Sequence, residues 1–313
     1  MGYHIAVDVG GTQLRAACYA YDSLKPAQVK RIATQSAGET PLERLKSVIA
    51  SVWPPDQSVD AIGVAAPGPL DSNEGMVMAA PNIPGWVDLP LRKNLEERFQ
   101  IPVVVGNDAN LAAVGEWKYG AGKGHHHLIY LTISTGIGGG VIIDDRLLLG
   151  DRGLAAELGH VTVLHDGPLC GCGQRGHLEA IASGTAIARW VEEELKRGSV
   201  SSLVNERPVT AKAVSKAAHD GDKLAIAALD RAGHYIGQAL ADYLHIFNPT
   251  AVILGGGVVQ SGSLLLDPLY DALRKHVLTK HYLDCLTIAT AELGDNAGLM
   301  GALATAREIK IHA

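Results

Sequence analysis

The chain has 313 residues, 47% of them hydrophobic and 19% charged, with a formal net charge of −6. That acidic balance and the two Phe offer nucleic acid neither an electrostatic footprint nor a base-stacking surface. No apolar run reaches the roughly 18 residues of a spanning helix, so neither nucleic acid nor membrane is an expected partner.

The length suits two ordinary domains around a cleft. The opening MGYHIAVDVGG moves into a strand pattern without the basic start and cleavage site of a leader, so a cytoplasmic protein is expected. Ile5 to Val9, Leu14 to Tyr21 and Val29 to Gln35 are short apolar or alternating runs between turn residues and read as a three-strand meander. Thr40-Pro41-Leu42-Glu43 is a capping box with proline in the first turn, opening a helix to about Trp53. Val59 to Ala65 and Val103 to Val105 are continuous apolar strands of a parallel sheet, with a helix from Leu91 to Phe99 between them. The first half therefore reads βββαβαβ.

The chain then repeats its plan. IAVDVGGTQLRAACYAY and IYLTISTGIGGGVIIDD, about 124 residues apart, each place a polar, glycine-rich turn between two apolar strands. Helices are expected from Gly184 to Lys196, Ala211 to Ala218 and Asp222 to Phe247. A strand from Ala251 to Leu254, a helix over about Leu264 to Val277, a strand from Leu286 to Ala291 and a last helix from Asn296 to Ile309 follow. No low-complexity linker divides the chain. Residues 1–118 are expected to form a smaller N-terminal α/β lobe, with the C-terminal helix at about 296–311 packing back on it, and residues 119–313 a larger α/β lobe. The run His125-His126-His127 near the boundary reads as a surface loop rather than a ligand set.

Five stretches carry candidate chemistry. Asp8-Val9-Gly10-Gly11-Thr12 and Thr132 to Gly140 present glycines and hydroxyls at corresponding turns, where backbone N–H groups can face a phosphate; the alternative is a hairpin serving topology only. Leu254-Gly255-Gly256-Gly257 ends a strand where a base or ribose could approach. None of these stretches is GxGxxG opening a helix, which disfavours a dinucleotide dehydrogenase. Asn107-Asp108-Ala109-Asn110 stands where a strand passes into a helix, so Asp108 reads either as a helix cap or as a general base at the cleft mouth. His160, Cys170, Cys172 and His177 could make a closed Cys2His2 zinc set; a polar loop with free thiols, or a redox pair without the CxxC spacing, are the alternatives.

In order, DVGGT, PNIPGW, GNDAN, STGIGGG, ELGH, CGCGQRGHLE and LGGGV closely resemble the ROK family of sugar kinases and repressors over essentially the whole chain. The resemblance implies the actin-like, sugar-kinase/Hsp70-type fold of two α/β lobes with duplicated hairpin turns around a central cleft. It also implies ATP-dependent phosphorylation of a hexose at its 6-hydroxyl, with glucose the first choice and N-acetylmannosamine, N-acetylglucosamine, mannose or fructose the alternatives. Asp108 would be the catalytic base. Gly68, Asn82, Asn107, Asp108, Glu157, His160 and Glu179 would contact the sugar, and Gly10, Gly11, Thr12, Thr135, Gly136, Gly256 and Gly257 the nucleotide. Asp8 would help hold Mg²⁺, and the zinc would be structural. A homodimer is the family expectation. The family's cysteine loop usually ends in CGxxGC, whereas His177 takes the final position here; imidazole is also a zinc ligand, so Cys2His2 is expected in place of Cys3His. Repressors of the family carry an additional N-terminal DNA-binding region, for which the residues before Asp8 leave no room, so a kinase is expected over a sugar-sensing regulator.

Overall fold

The structure, a computed structural model, describes residues 2–55 and 57–309. Strands β1 (Tyr3–Val9), β2 (Gln13–Ala20) and β3 (Gln28–Ala33) form the meander, and helix α1 (Pro41–Ser51) follows. The Thr40 hydroxyl caps α1 by accepting the Glu43 N–H at 3.2 Å, as the capping box requires. Next come β4 (Val59–Ala66), three short strands β5 (Leu70–Asp71), β6 (Met76–Ala79) and β7 (Val87–Pro90), helix α2 (Leu91–Phe99), β8 (Val103–Asn107) and α3 (Asp108–Tyr119). The short strands form a small sheet of their own that the sequence reading lacks.

The second half runs β9 (Leu128–Ile133), β10 (Ile137–Ile143), β11 (Arg146–Leu147), α4 (Leu178–Ala182), α5 (Gly184–Lys196), α6 (Ala211–His219), α7 (Lys223–Phe247), β12 (Ala251–Gly255), α8 (Ser263–His276), β13 (Thr287–Thr290) and α9 (Ala297–Glu308). The last helix was expected to reach about 311; residues 310–313 lie outside the described part.

The duplication seen in the sequence is a duplication of topology. One sheet has the order β3-β2-β1-β4-β8 and the other β11-β10-β9-β12-β13. In each, an antiparallel meander is extended by two parallel strands. β1 and β9 are the central strands, and each glycine-rich turn leaves the C-terminal end of its central strand. Ligands of open α/β sheets bind at that end, where the strand order reverses.

Two helices lie between the sheets, and they are exchanged. α3 leaves the first sheet from β8 but packs on the second, where Ala112 and Ala113 meet Tyr130 and Leu128. α9 follows β13 of the second sheet but packs on the first, where Leu299, Ala302 and Leu303 meet Ala6, Ala17 and Ala65. Seven consecutive residues of α3, Asn110 to Glu116, are buried, the mark of a helix covered on all sides. The expected lobe boundary at 118/119 falls in the last turn of this helix.

Candidate active site

At the head of α3 the Asn107 side chain is the cap: its Oδ1 accepts the N–H groups of Ala109 at 3.0 Å and Asn110 at 3.2 Å. Its Nδ2 remains, beside Gly68. Asp108 is the first helical residue and is relieved of the capping role, although its Oδ1 also accepts the Ala109 N–H at 2.8 Å. Burial, together with the charges of Asp8 and Glu157 and against the pull of the Ala109 N–H, raises the Asp108 carboxyl to about 6. Burial also pushes Asp8 up, against the pull of Arg15, whose Nη2 lies 3.0 Å from Asp8 Oδ2. Glu157 is raised by burial and by Glu179, while His160 lowers it. These pairings bring Asp8, Asp108, Glu157, His160 and Glu179 to one place, drawn from both halves of the chain.

The first glycine turn is closed by Gly10 N–H to Gln13 O at 2.9 Å and braced by the Thr34 hydroxyl on Gly10 O at 2.6 Å. Gly11 sits against Asn82, and Thr12 is exposed, free to meet a ligand. The second turn is closed by Ser134 N–H to Gly136 O at 2.9 Å. It opens on a cavity of about 930 Å³ lined by Thr135, Gly184, Thr185, Arg189, Lys212 and Gly257 among others. Of the two glycines assigned to the nucleotide after β12, only Gly257 faces this cavity. Gly256, at φ 89°, is pressed on the Ile133 backbone, and its conformation sets the direction in which the chain reaches Gly257. The first turn is not part of the cavity wall.

His160, Cys170, Cys172 and His177 converge, with one ligand atom of each lying within 4.8 Å of all the others. His160 Nδ1 and His177 Nδ1 are 3.3 Å apart, Cys170 Sγ and His160 Nδ1 3.8 Å, and Cys172 Sγ and His177 Nδ1 3.3 Å. A tetrahedral zinc with N and S ligands at roughly 2.0–2.3 Å sets its ligands roughly 3.3–3.8 Å apart. The residues present therefore fit a zinc ion. Both histidines use Nδ1 toward the cluster, which leaves His160 Nε2 as its remaining ring nitrogen. The His125–His127 run is a surface loop: His126 pairs with Asp145 at 2.8 Å and His127 with Asp144 at 3.4 Å, while His125 Nδ1 meets Thr250 at 2.9 Å.

The sequence profile of the ROK family matches residues 4–309. The chain belongs to the ROK family. A relative, a glucokinase of Thermotoga maritima, is 37% identical over 310 residues, 97% of each chain. The crystal structure of a ROK family glucokinase from Streptomyces griseus in complex with glucose and AMPPNP superposes with a TM-score of 0.82 at 36% identity, covering 98% of this chain and 100% of that one. A ROK hexokinase from Thermus thermophilus gives 0.83 at 36% identity, with 97% of each chain covered. The actin-like ATPase fold expected from the motifs is the fold of this family.

Two parts of the site escaped the sequence reading. Arg15, 5% exposed, holds Asp8 and also donates to Asn296 Oδ1 at 2.8 Å and to the Asp295 carbonyl, joining β2 to the start of α9. The signal was there: a hairpin turning at Gly10 to Thr12 sets residue 15 opposite residue 8, as the register has it. The cavity wall from α5 and α6 had a weaker signal, Lys212 and Lys216 four residues apart on one helix face.

Proposed function

We propose that this chain transfers the γ-phosphoryl group of ATP to the 6-hydroxyl of a hexose, with glucose the preferred acceptor. The observation that carries this reading is Asp108: a carboxylate at the cleft, freed from capping by Asn107 and raised to about 6, so that near neutral pH it is ionised yet basic enough to take a hydroxyl proton. The S. griseus glucokinase, whose structure holds glucose and AMPPNP, supports both the acceptor and the donor.

In this reading Asn82, Asn107 through its Nδ2, Glu157, His160 through Nε2, and Glu179 orient the sugar hydroxyls, with Gly68 giving Asn107 room. Polar groups left unpaired by a wrong sugar are what reject it. The Gly10-Gly11-Thr12 and Thr135-Gly136 turns receive phosphates with their N–H groups, and Gly257 lies by the adenosine in the cavity. Burial is the main cause that raises Asp8 and Asp108, but Asp108 also feels the negative charges of Asp8 and Glu157, and neighbouring carboxylates of this kind suit a divalent cation. Because Asp8 Oδ2 is engaged by Arg15, Asp8 would offer Mg²⁺ its Oδ1, and the ion would neutralise charge on the transferred phosphates. Zinc on His160, Cys170, Cys172 and His177 would fix the tautomer and direction of the His160 ring.

The test is ADP release from Mg-ATP across glucose, mannose, fructose, N-acetylglucosamine and N-acetylmannosamine. Glucose should give the highest kcat/KM. A different preferred sugar would replace glucose in this assignment, and silence on every sugar, with polyphosphate as well as ATP, would overturn the kinase reading.

A further inference from the structure

Glu179 stands where three parts of the site meet. It lies in the first turn of α4, and its Oε2 accepts the N–H of Ile137 at 2.9 Å, the residue that follows Thr135-Gly136 in the second turn. Its Oε1 lies 3.6 Å from Cys170 Sγ in the metal-fitting loop. Gly136 lacks the side chain that would collide with this carboxylate. A charged acceptor on a backbone N–H is among the stronger hydrogen bonds a protein makes.

The same stretch of chain grips the turn from its other side. Just after α4, the Gly184 N–H donates to Ser134 O at 2.7 Å and the Thr185 hydroxyl to Thr135 O at 2.8 Å. Arg189, in the cavity wall, reaches back to the carbonyls of Ala180 at 2.6 Å and Leu169 at 3.3 Å, the latter next to Cys170. The turn that opens on the nucleotide cavity is thus held by Glu179, Gly184 and Thr185, which follow the last of the four metal-fitting side chains, His177, closely in the chain. A turn that receives phosphate does so with N–H groups whose directions must be fixed, and here Glu179 fixes the N–H beside them.

We propose that Glu179 is a positioning residue for the nucleotide: it ties the Thr135-Gly136 turn to the His160/Cys170/Cys172/His177 loop, so that nucleotide affinity depends on that loop being intact. This rests on the kinase reading above and adds a role for Glu179 separate from any contact with sugar.

Calorimetric titration with AMPPNP, without sugar, tests it, because a sugar contact cannot enter the readout. Glu179→Ala should weaken AMPPNP roughly tenfold or more, whereas Glu179→Gln, which keeps an oxygen acceptor for the Ile137 N–H, should stay within roughly threefold of the parent. Stripping zinc from the parent, with the metal content measured before and after, should also weaken AMPPNP; stripping it from Glu179→Ala should weaken it by a smaller factor than in the parent, since the Glu179 tie is already cut and only the Gly184 and Thr185 hydrogen bonds remain to hold the turn. Thermal melts establish that each protein is folded. Unchanged AMPPNP affinity in folded Glu179→Ala, with only the glucose KM raised, overturns this inference and leaves the kinase reading standing. If Glu179→Ala does not fold, the stripped parent decides, and unchanged affinity there is equally fatal. A parent that takes up no AMPPNP overturns the nucleotide reading and this inference with it.

Discussion

Asn107 and Asp108 divide between them two roles that the sequence offered to one residue. An acidic residue at a strand-to-helix junction is ordinarily a cap, but asparagine caps as well, and here Asn107 takes two N–H groups of the first turn, those of Ala109 and Asn110. GNDAN held that division in plain sight; what it could not show is the burial and the nearness of Asp8 and Glu157 that raise Asp108 from 3.8 to about 6. Two consequences follow for Asp108→Asn. Turnover should fall on the order of 10²–10⁴-fold while AMPPNP and sugar binding persist, as befits loss of a general base; near-normal turnover would remove Asp108 from that role. Stability should move the other way. With its folded value raised, the native state binds the proton more tightly than the unfolded chain, so the stability Asp108 contributes is full below about 4 and lost as pH rises through about 6. Asp108→Asn should therefore melt higher than the parent at pH 7.5, by something on the order of 1–3 kcal/mol, with the gap closing toward pH 4. The parent's kcat/KM should fall as pH drops through about 6, following protonation of the base.

Among the elements, those with strong local signals were legible: the hairpins, the Leu91–Phe99 and Gly184–Lys196 helices, and the parallel strands all stand where periodicity and caps set them. The strands that were missed, β5, β6, β7 and β11, are two to four residues long, too short for alternation to register. The four metal-fitting residues were legible by type and spacing, while their convergence depends on the loop between the short helical turn at Leu158–His160 and α4. Of the exchange of α3 and α9 between the sheets, the return of the last helix to the first half was expected and α9 does pack on the first sheet, whereas the packing of α3 on the second sheet left no local trace, since which sheet a helix covers is decided by tertiary packing. The imprint of the exchange is at two glycines. A Cβ on Gly301 of α9 would overlap the Leu111 carbonyl of α3, and one on Gly115 of α3 would overlap the Ala297 carbonyl of α9. The helices therefore touch backbone to backbone, where no side chain can rotate out of the way. Gly301→Ala should cost about 1–3 kcal/mol by overpacking, even though alanine is the better helix former. Because α3 carries Asp108 at its head, kcat should drop as well. A denaturant melt and steady-state kinetics check both, and a Gly301→Ala protein as stable and active as the parent would contradict the close contact.

At the scale of the molecule, the chain passes from the first sheet to the second after α3 and returns after β13, and a single side chain closes both passages. Glu116, fully buried, accepts the N–H of Ala121 at 3.0 Å on the outward passage. On the return passage it accepts the N–H groups of Glu292 at 3.1 Å and Leu293 at 2.8 Å. A buried carboxylate is tolerated when hydrogen bonds replace its hydration, and three backbone donors supply them here. Removing it leaves three part-buried donors without this acceptor, at up to about 1–3 kcal/mol for each that water cannot reach. Glu116→Ala should accordingly lose about 1–3 kcal/mol, a sizeable fraction of the stability of a protein domain. Glu116→Gln keeps one oxygen acceptor but turns an amide N–H₂ toward the remaining donors, and should fall between Glu116→Ala and the parent. Urea unfolding of the three proteins gives the ranking. If the two variants proved equally stable, the three hydrogen bonds would not be what holds the passages together; the expected order would show that both crossings between the halves hang on the same carboxylate.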